Sequence, residues 1–300
     1  MNIADGNKLL RCHSRWFFLA ITYFLWTAAS HLGAQGDISK RIVSIVPAVT
    51  EMLFEIGAGE QVVGISSFAS YPNDVKSLPR VGALLDPNIE RILSLKPDLV
   101  VMHNSQTDAI EQMRRGGIEV FLYRHGGISD AIEMLRHLGQ RTGRTIKAMM
   151  VAKQVEVKLQ SIRTRVSKYP KPKVLLVLGR EPDTIRNVYA SGGIGFLNDM
   201  VTAAGGINVF AHIQSEAVRP TAEGVLAASP DVIIEIRAEG LLSPTTTSNQ
   251  PNVWDALSAI PAVQKDRVYF LTGSDLVVPG PRVAKATERL ARTLHPAAFK

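Results

Sequence analysis

Cysteine is almost missing from this chain: of 300 residues, Cys12 is the only one. A single thiol excludes a disulfide framework and a cysteine-ligated metal cluster. Cys12 also precedes the first apolar run, whereas a lipid-attachment cysteine follows such a run at its cleavage site, so the mature chain is expected to carry no lipid. Tryptophan is scarce too; Trp16 and Trp26 fall in the leader, which leaves Trp254 for the rest of the chain. Catalytic signatures are absent: there is no nucleophile elbow, no His-Glu-x-x-His and no phosphate loop ending in Gly-Lys-Ser or Gly-Lys-Thr. No enzymatic activity is expected. The basic residues form no stripe interleaved with aromatics, which argues against nucleic acid as a partner.

What is present begins with a leader. Lys8, Arg11 and Arg15 precede an apolar run from Trp16 to Ala29, which passes into small residues up to Ala34. That order is the pattern of a secretory signal peptide, assigned to residues 1–35. At 14 residues the run is shorter than the roughly 20 that a membrane span needs, and no second such run follows. An uncleaved anchor is the alternative. Of the formal net charge of +7, the leader holds +2 (Lys8, Arg11 and Arg15 against Asp5), leaving about +5 on the remainder. This mild excess favours an anionic ligand such as a carboxylate-bearing chelate.

The most informative feature is an internal repeat. Asn88-Ile-Glu-Arg-Ile-Leu-Ser-Leu-Lys-Pro-Asp-Leu-Val-Val and Thr221-Ala-Glu-Gly-Val-Leu-Ala-Ala-Ser-Pro-Asp-Val-Ile-Ile, 133 residues apart, read as copies. Each has a capping residue, a short helix, a Pro-Asp turn and a strand, with a glutamate two places after the cap. A weaker echo pairs Glu51–Gly57 with Asp199–Gly205, two short helices closed by glycine. Two units so far apart exclude a solenoid and predict two similar lobes.

In the first lobe, apolar runs at 41–46, 61–66, 98–103 and 118–123 alternate with helical stretches at 88–95, 106–115 and 129–141, which predicts a parallel sheet flanked by helices. Residues 145–167 contain neither Pro nor Gly and place Val155, Leu159, Ile162 and Val166 at helical spacing. A helix of that length, roughly 35 Å, is expected to join the lobes as a rigid backbone. Strands are expected again at 174–178, 231–236 and 267–271, and a Ser/Thr/Pro-rich loop at 241–252. The organisation is thus a leader (1–35), an N-terminal lobe (36–143), a backbone helix (144–168) and a C-terminal lobe (169–300). The fold class is α/β, with two Rossmann-like lobes whose parallel sheets are joined by one long helix. Ligands of such sheets bind outside the carboxyl ends of the strands. Ser191-Gly-Gly-Ile-Gly195 lacks dinucleotide spacing and is expected to form a turn at the cleft.

Four runs in order, Arg41-Ile-Val-Ser-Ile-Val-Pro-Ala-Val-Thr-Glu51, Val63-Gly-Ile-Ser-Ser-Phe-Ala-Ser-Tyr-Pro72, Pro79-Arg-Val-Gly82 and Asn88 to Val100, resemble the periplasmic binding proteins for vitamin B12. These belong with ferric siderophore and haem binders to the backbone-helix class, class III of the periplasmic binding proteins. The resemblance covers about residues 40–295. It implies a periplasmic protein that works as a monomer, captures a metal chelate between its lobes and delivers it to the permease dimer and ATPase of an ABC importer. It implies no cofactor. Glu90 and Glu223 match the family's transporter-docking glutamates, one per lobe, and are the same pair that the repeat singles out. Charges at equivalent sites suit a twofold transporter; the alternative is that each acidic residue complements its own helix dipole.

For the ligand, Ala48, Tyr71 and Asp275 match positions that line the cleft in vitamin B12 binders, and Tyr71 suits a flat macrocycle. Where those proteins carry first-lobe tryptophans this chain has Leu84 and His103, and the second lobe has none between His212 and Arg219. Cobalamin or another corrinoid is expected first, haem second and a ferric siderophore third. Tyr71, His103 or His125 could ligate haem iron, and Arg180, Arg219 and Arg282 could hold carboxylates. A bare metal-ion binder, with His103, His125 and His212 converging, is a further alternative.

Overall fold

Uninterrupted apolar runs become strands only where both faces can be covered, and the first lobe provides that cover. The structure, a computed structural model, describes residues 38–237 and 253–300. The leader assigned to 1–35 and the loop assigned to 241–252 lie wholly outside the described residues, so both assignments stand as expectations. Ser39–Lys300 form one compact unit.

The first lobe runs β1 (Ile42–Ser44), α1 (Pro47–Glu55), β2 (Val62–Ile65), α2 (Ile89–Ser94), β3 (Leu99–His103), α3 (Thr107–Arg115), β4 (Glu119–Tyr123) and α4 (Ile128–Arg141). Its sheet has the order β2-β1-β3-β4 and is parallel throughout. Central β1 is buried at every position, as its sequence requires. Next comes α5 (Thr145–Val166), a single helix of 22 residues that buries Ala148, Val151, Ala152, Val155, Leu159, Ile162 and Val166 along one face. The second lobe comprises β5 (Lys173–Gly179), β6 (Tyr189–Ser191), α6 (Phe196–Ala203), β7 (Ile207–Asn208), β8 (Ala217–Val218), α7 (Ala222–Ala228), β9 (Val232–Arg237), α8 (Pro261–Gln264), β10 (Val268–Thr272) and α9 (Val283–Leu294).

This second sheet departs from the expected all-parallel form. Its order is β10-β9-β5-β6-β8, and β6 and β8 are antiparallel to their neighbours. The cause is local: only residues 180–188 separate β5 from β6, too few for a helical crossover, so the chain must turn back beside itself.

The sequence repeat is reproduced in its capping and turn contacts. The Asn88 side chain accepts the Arg91 N–H (2.8 Å), and Thr221 accepts the Gly224 N–H (3.2 Å). Both helices end in a non-glycine residue of left-handed conformation, Lys96 and Ser229, each at φ 47°. Asp98 and Asp231 then take the N–H groups that open the neighbouring strands, Lys40 and Arg41 in one lobe and Lys173 in the other. Gly57 and Gly205, which close the weaker echo, sit at φ +79° and +82°, where a side chain would be strained.

A continuous apolar core extends from β1, α1 and β3 through α4 and α5 to α6, β9 and α9. The backbone helix is therefore part of the core, and the lobes share it. A second cluster in the C-terminal lobe surrounds the fully buried Trp254, whose Nε1 donates to Glu235 at 3.1 Å. Among the described residues no helix is long and apolar enough to cross a membrane.

Candidate functional site

Helices in a βαβ unit run antiparallel to their strands, so strand carboxyl ends and helix N-termini share one end of each lobe. On the first lobe that end carries a cluster of rings. His103 closes β3, Tyr123 closes β4 and His125 follows two residues on; ring centroids are 5.1 Å apart for His103 and His125, 5.3 Å for Tyr123 and His125, and 6.1 Å for His103 and Tyr123. The Ser105 N–H points at His103 Nδ1 (3.2 Å) and Ser105 Oγ lies 2.7 Å from it, which assigns the proton of the neutral ring to Nε2. Burial and the neighbouring His125 push the His103 pKa down, against the pull of Glu216 from the other lobe. Burial likewise pushes the Tyr123 phenol up, with help from Glu216 and Asp130. Both shifts favour the neutral forms of His103 and Tyr123 at pH 7. Gln106 braces this wall, accepting from the His103 N–H (2.9 Å) and donating to the Leu84 carbonyl (2.9 Å).

The opposing wall comes from the second lobe. A gap of about 80 Å³ between the lobes is lined by His125 and Gly126 on one side and by Tyr189, Ile194, Gly195 and Glu216 among others on the opposite side. Below it the lobes touch directly: the Phe196 N–H donates to the Gly126 carbonyl (3.1 Å), and the Ile128 N–H donates to Asp199 (2.8 Å). Gly127 is required here for space, because a Cβ on it would fall 2.4 Å from Asp199 Oδ2. Ser191–Gly195 forms the turn that leads into α6; a Cβ on Gly192 would meet the Ser215 carbonyl at 2.1 Å, so its glycine lets two loops pass closely.

A charge pair also crosses between the lobes. Arg282, at the entry to α9, grips Glu51 of α1 with two hydrogen bonds, Nε to Oε2 at 2.9 Å and Nη2 to Oε1 at 2.5 Å, and Nη2 also reaches Ser274. Tyr71 lies against the guanidinium, 4.0 Å from ring centroid to Cζ. Glu51 is only 4% exposed, and burial raises its pKa more than Arg282 lowers it.

The structure places the remaining candidates in different settings. Tyr71 is part-exposed beside the Glu51–Arg282 pair, and in the same loop Phe68 is 75% exposed, which is unusual for an aromatic side chain. Ala48 is buried at the start of α1, and Leu84 is half-buried. Arg219 is exposed, its guanidinium 5.9 Å from the Tyr189 ring. Asp275 is buried and taken up by Arg289 (2.9 and 3.1 Å). Arg180 is committed within its lobe to Glu235 (3.0 Å) and to the Glu181 and Thr184 carbonyls, and Arg282 is committed to Glu51. Glu90 and Glu223 are exposed in the first turns of α2 and α7, at the strand carboxyl ends of their lobes; hydrogen bonds from its own backbone and from Thr221 hold the Glu223 pKa down. His212 lies against Phe210 at 6.5 Å, and among the described residues no three His, Cys, Asp or Glu side chains are grouped to hold a metal ion.

Sequence reasoning did not single out Glu51 as the partner of Arg282, nor Tyr189 and Glu216 as cleft residues. The first pairing spans 231 positions and has no local signature. Glu216 and Tyr189 sit at strands of two and three residues, too short to show a period.

The model of the family described as periplasmic binding protein matches residues 42–274. The chain is 30% identical over 269 residues to an uncharacterized ABC transporter substrate-binding lipoprotein, YvrC of Bacillus subtilis, covering 87% of this chain and 82% of that one. It is 24% identical over 267 residues to the vitamin B12-binding protein of Yersinia pestis, covering 88% and 90%. Among solved structures, the apo periplasmic haem-binding protein RhuT of Roseiflexus sp. RS-1 superposes with a TM-score of 0.73 at 29% identity, over 87% of this chain and 99% of that one. The periplasmic vitamin B12-binding protein BtuF of Vibrio cholerae gives 0.73 at 24% identity, over 87% and 98%.

The Glu51 carboxyl generates a pH prediction. Its raised pKa means that the folded chain holds a proton which the unfolded chain has released, from the ordinary carboxylate value of about 4.3 up to the raised one. Its contribution to stability is therefore full below that window and is lost as pH rises through it. Urea unfolding of wild type and Glu51→Gln between about pH 4 and pH 7 should show this slope in the wild type and a flatter profile in the variant; identical profiles would refute it.

Proposed function

The chain belongs to the periplasmic binding protein family, and on that premise we propose that it is the substrate-binding protein of an ABC importer, capturing a metal chelate built on a flat macrocycle. The observation that carries this reading is the pair of facing walls at the strand carboxyl ends, with the ring cluster His103, Tyr123 and His125 on one lobe and Tyr189, Glu216 and Arg219 on the other. Aromatic and imidazole faces suit a flat conjugated ring, and the polar groups between them suit its side chains. Ser105 Oγ lies 2.7 Å from His103 Nδ1, but among the described residues no carboxylate is hydrogen-bonded to that ring to complete a catalytic triad, so the proposed action is capture and release without bond chemistry. The resemblance to vitamin B12-binding proteins puts a corrinoid first.

One observation favours haem as the second reading. Burial pushes the His103 pKa down beside the cleft, which favours the neutral imidazole that ligates iron; ligation through Nε2 would put the ring proton on Nδ1, where Ser105 Oγ can accept it. Export to the periplasm, a single polypeptide as the working unit, and docking through Glu90 and Glu223 on a permease dimer coupled to an ATPase complete the proposal. The two glutamates are exposed, occupy equivalent places in the repeat and lie at the cleft end of both lobes. The lobe limits given above, 36–143 and 169–300 around a helix at 144–168, are the proposed division of labour.

Titration with cyanocobalamin and separately with haemin, followed by visible absorbance and calorimetry, tests the ligand. Saturable binding of cobalamin at one per chain is expected; a shifted Soret band with haemin, abolished by His103→Ala, would transfer the assignment to haem. Binding of neither would reject the flat-macrocycle reading. For docking, the Glu90→Ala/Glu223→Ala double variant should bind its ligand normally and lose transporter-dependent uptake. Retained uptake would remove these residues from the docking surface.

A further inference from the structure

The far end of the second lobe, where its strands begin, holds a concentration of positive charge that the cleft does not use. A pocket of about 440 Å³ opens there. Lys171 reaches it from the link between α5 and β5, Lys265 from the end of α8 and Arg267 from the start of β10, with His295 and Tyr169 on its inner side. Asp231 is the one carboxylate in the lining, and one of its oxygens already accepts the Lys173 N–H at 2.8 Å. Three cations against one anion leave the lining at net +2.

These cations are uncompensated and in part preorganised. Lys171 and Lys265 are exposed and enter no ion pair among the described residues. Arg267 is half-buried and anchored through one nitrogen, Nη2, on the Leu294 carbonyl (3.1 Å), which leaves most of the donor fork unengaged. His295 is 5% exposed, bonded through Nε2 to the Gly205 carbonyl (3.2 Å), and its ring is tilted against Tyr169 with centroids 5.8 Å apart; burial and the nearby Arg267 push its pKa down. The larger cavity of about 670 Å³ beside α4, α5 and α6 is different, because Arg136 and Lys153 both reach Glu156 there. Helix C-termini at this end account for one of the cations, as Arg267 shows by capping α9. They do not account for two unpaired lysines facing the same pocket.

We propose that this pocket is an anion-binding site, separate from the inter-lobe cleft, for a small molecule that carries clustered phosphate or carboxylate groups. Converging Lys and Arg side chains with free donors match several negatively charged oxygens at once. The cleft lies at the carboxyl ends of the strands and this pocket at their beginnings, so both can be filled together.

Calorimetric titration of the full chain with pyrophosphate, and in parallel with citrate, tests the proposal and separates the phosphate from the carboxylate source. Saturable binding at one per chain, weakening with added salt, is expected for at least one of them. Lys171→Glu and Lys265→Glu should each weaken it by about tenfold or more, while leaving the thermal midpoint without anion unchanged, since both side chains are exposed. The anion should raise the midpoint of the wild type and not of the variants; if a reversal perturbs folding, Lys265→Gln serves in its place. No saturable binding of either anion below about 5 mM, or equal binding by wild type and variants, would overturn the proposal.

Discussion

The contact on which the rest of the molecule depends is the pair between Glu51 and Arg282. A carboxylate buried to 4% exposure cannot stay charged in a protein interior unless a cation meets it with good geometry. Here the cation comes from the other lobe and meets it twice. The pair thereby sets the distance between α1 and the entry to α9 at one end of the cleft. Gly280 is small because of it: a Cβ there would lie 2.8 Å from Glu51 Oε2. Tyr71 takes its place from the same guanidinium.

A second tether, from Gly126 and Ile128 to Phe196 and Asp199, and the shared core along α5 hold the lobes together elsewhere. With three attachments the two sheets present their carboxyl ends to each other at a defined spacing. Between those ends the chain places the rings of His103, Tyr123 and His125 on one wall and Tyr189 with Glu216 on the other. On the proposed reading, that surface receives a bulky flat chelate. Rigid lobes with preset walls lose little conformational freedom when a ligand enters, which favours affinity.

Much of the architecture was legible in the sequence because it rests on local rules. The buried run at 42–44, the helix from Thr145 and the capped repeats at Asn88 and Thr221 each follow from periodicity or capping. The repeat proved to extend further than letters alone indicate, down to matching left-handed residues at Lys96 and Ser229, although lysine and serine share no chemistry. Antiparallel β6 and β8 were not legible, since strands of two and three residues have no measurable period. The candidate site was legible by position, because residues after strand ends are found from the strands themselves. Which side chains are free to meet a ligand was not. Arg180 and Arg282 read as carboxylate holders, yet each is occupied by a glutamate distant in sequence, Glu235 and Glu51. Such partnerships arise from packing between remote segments, which no window of sequence contains.

The measurement that tests this account most directly is the distance between the lobes in solution, read by pulsed electron spin resonance from labels on exposed Gln112 and Gln214, with and without saturating ligand. If the charge pair and the shared helix fix the cleft, the distribution will be narrow and will shift by less than about 2 Å on saturation. A broad distribution, or a larger shift, would contradict the claim that the lobes are held at one spacing.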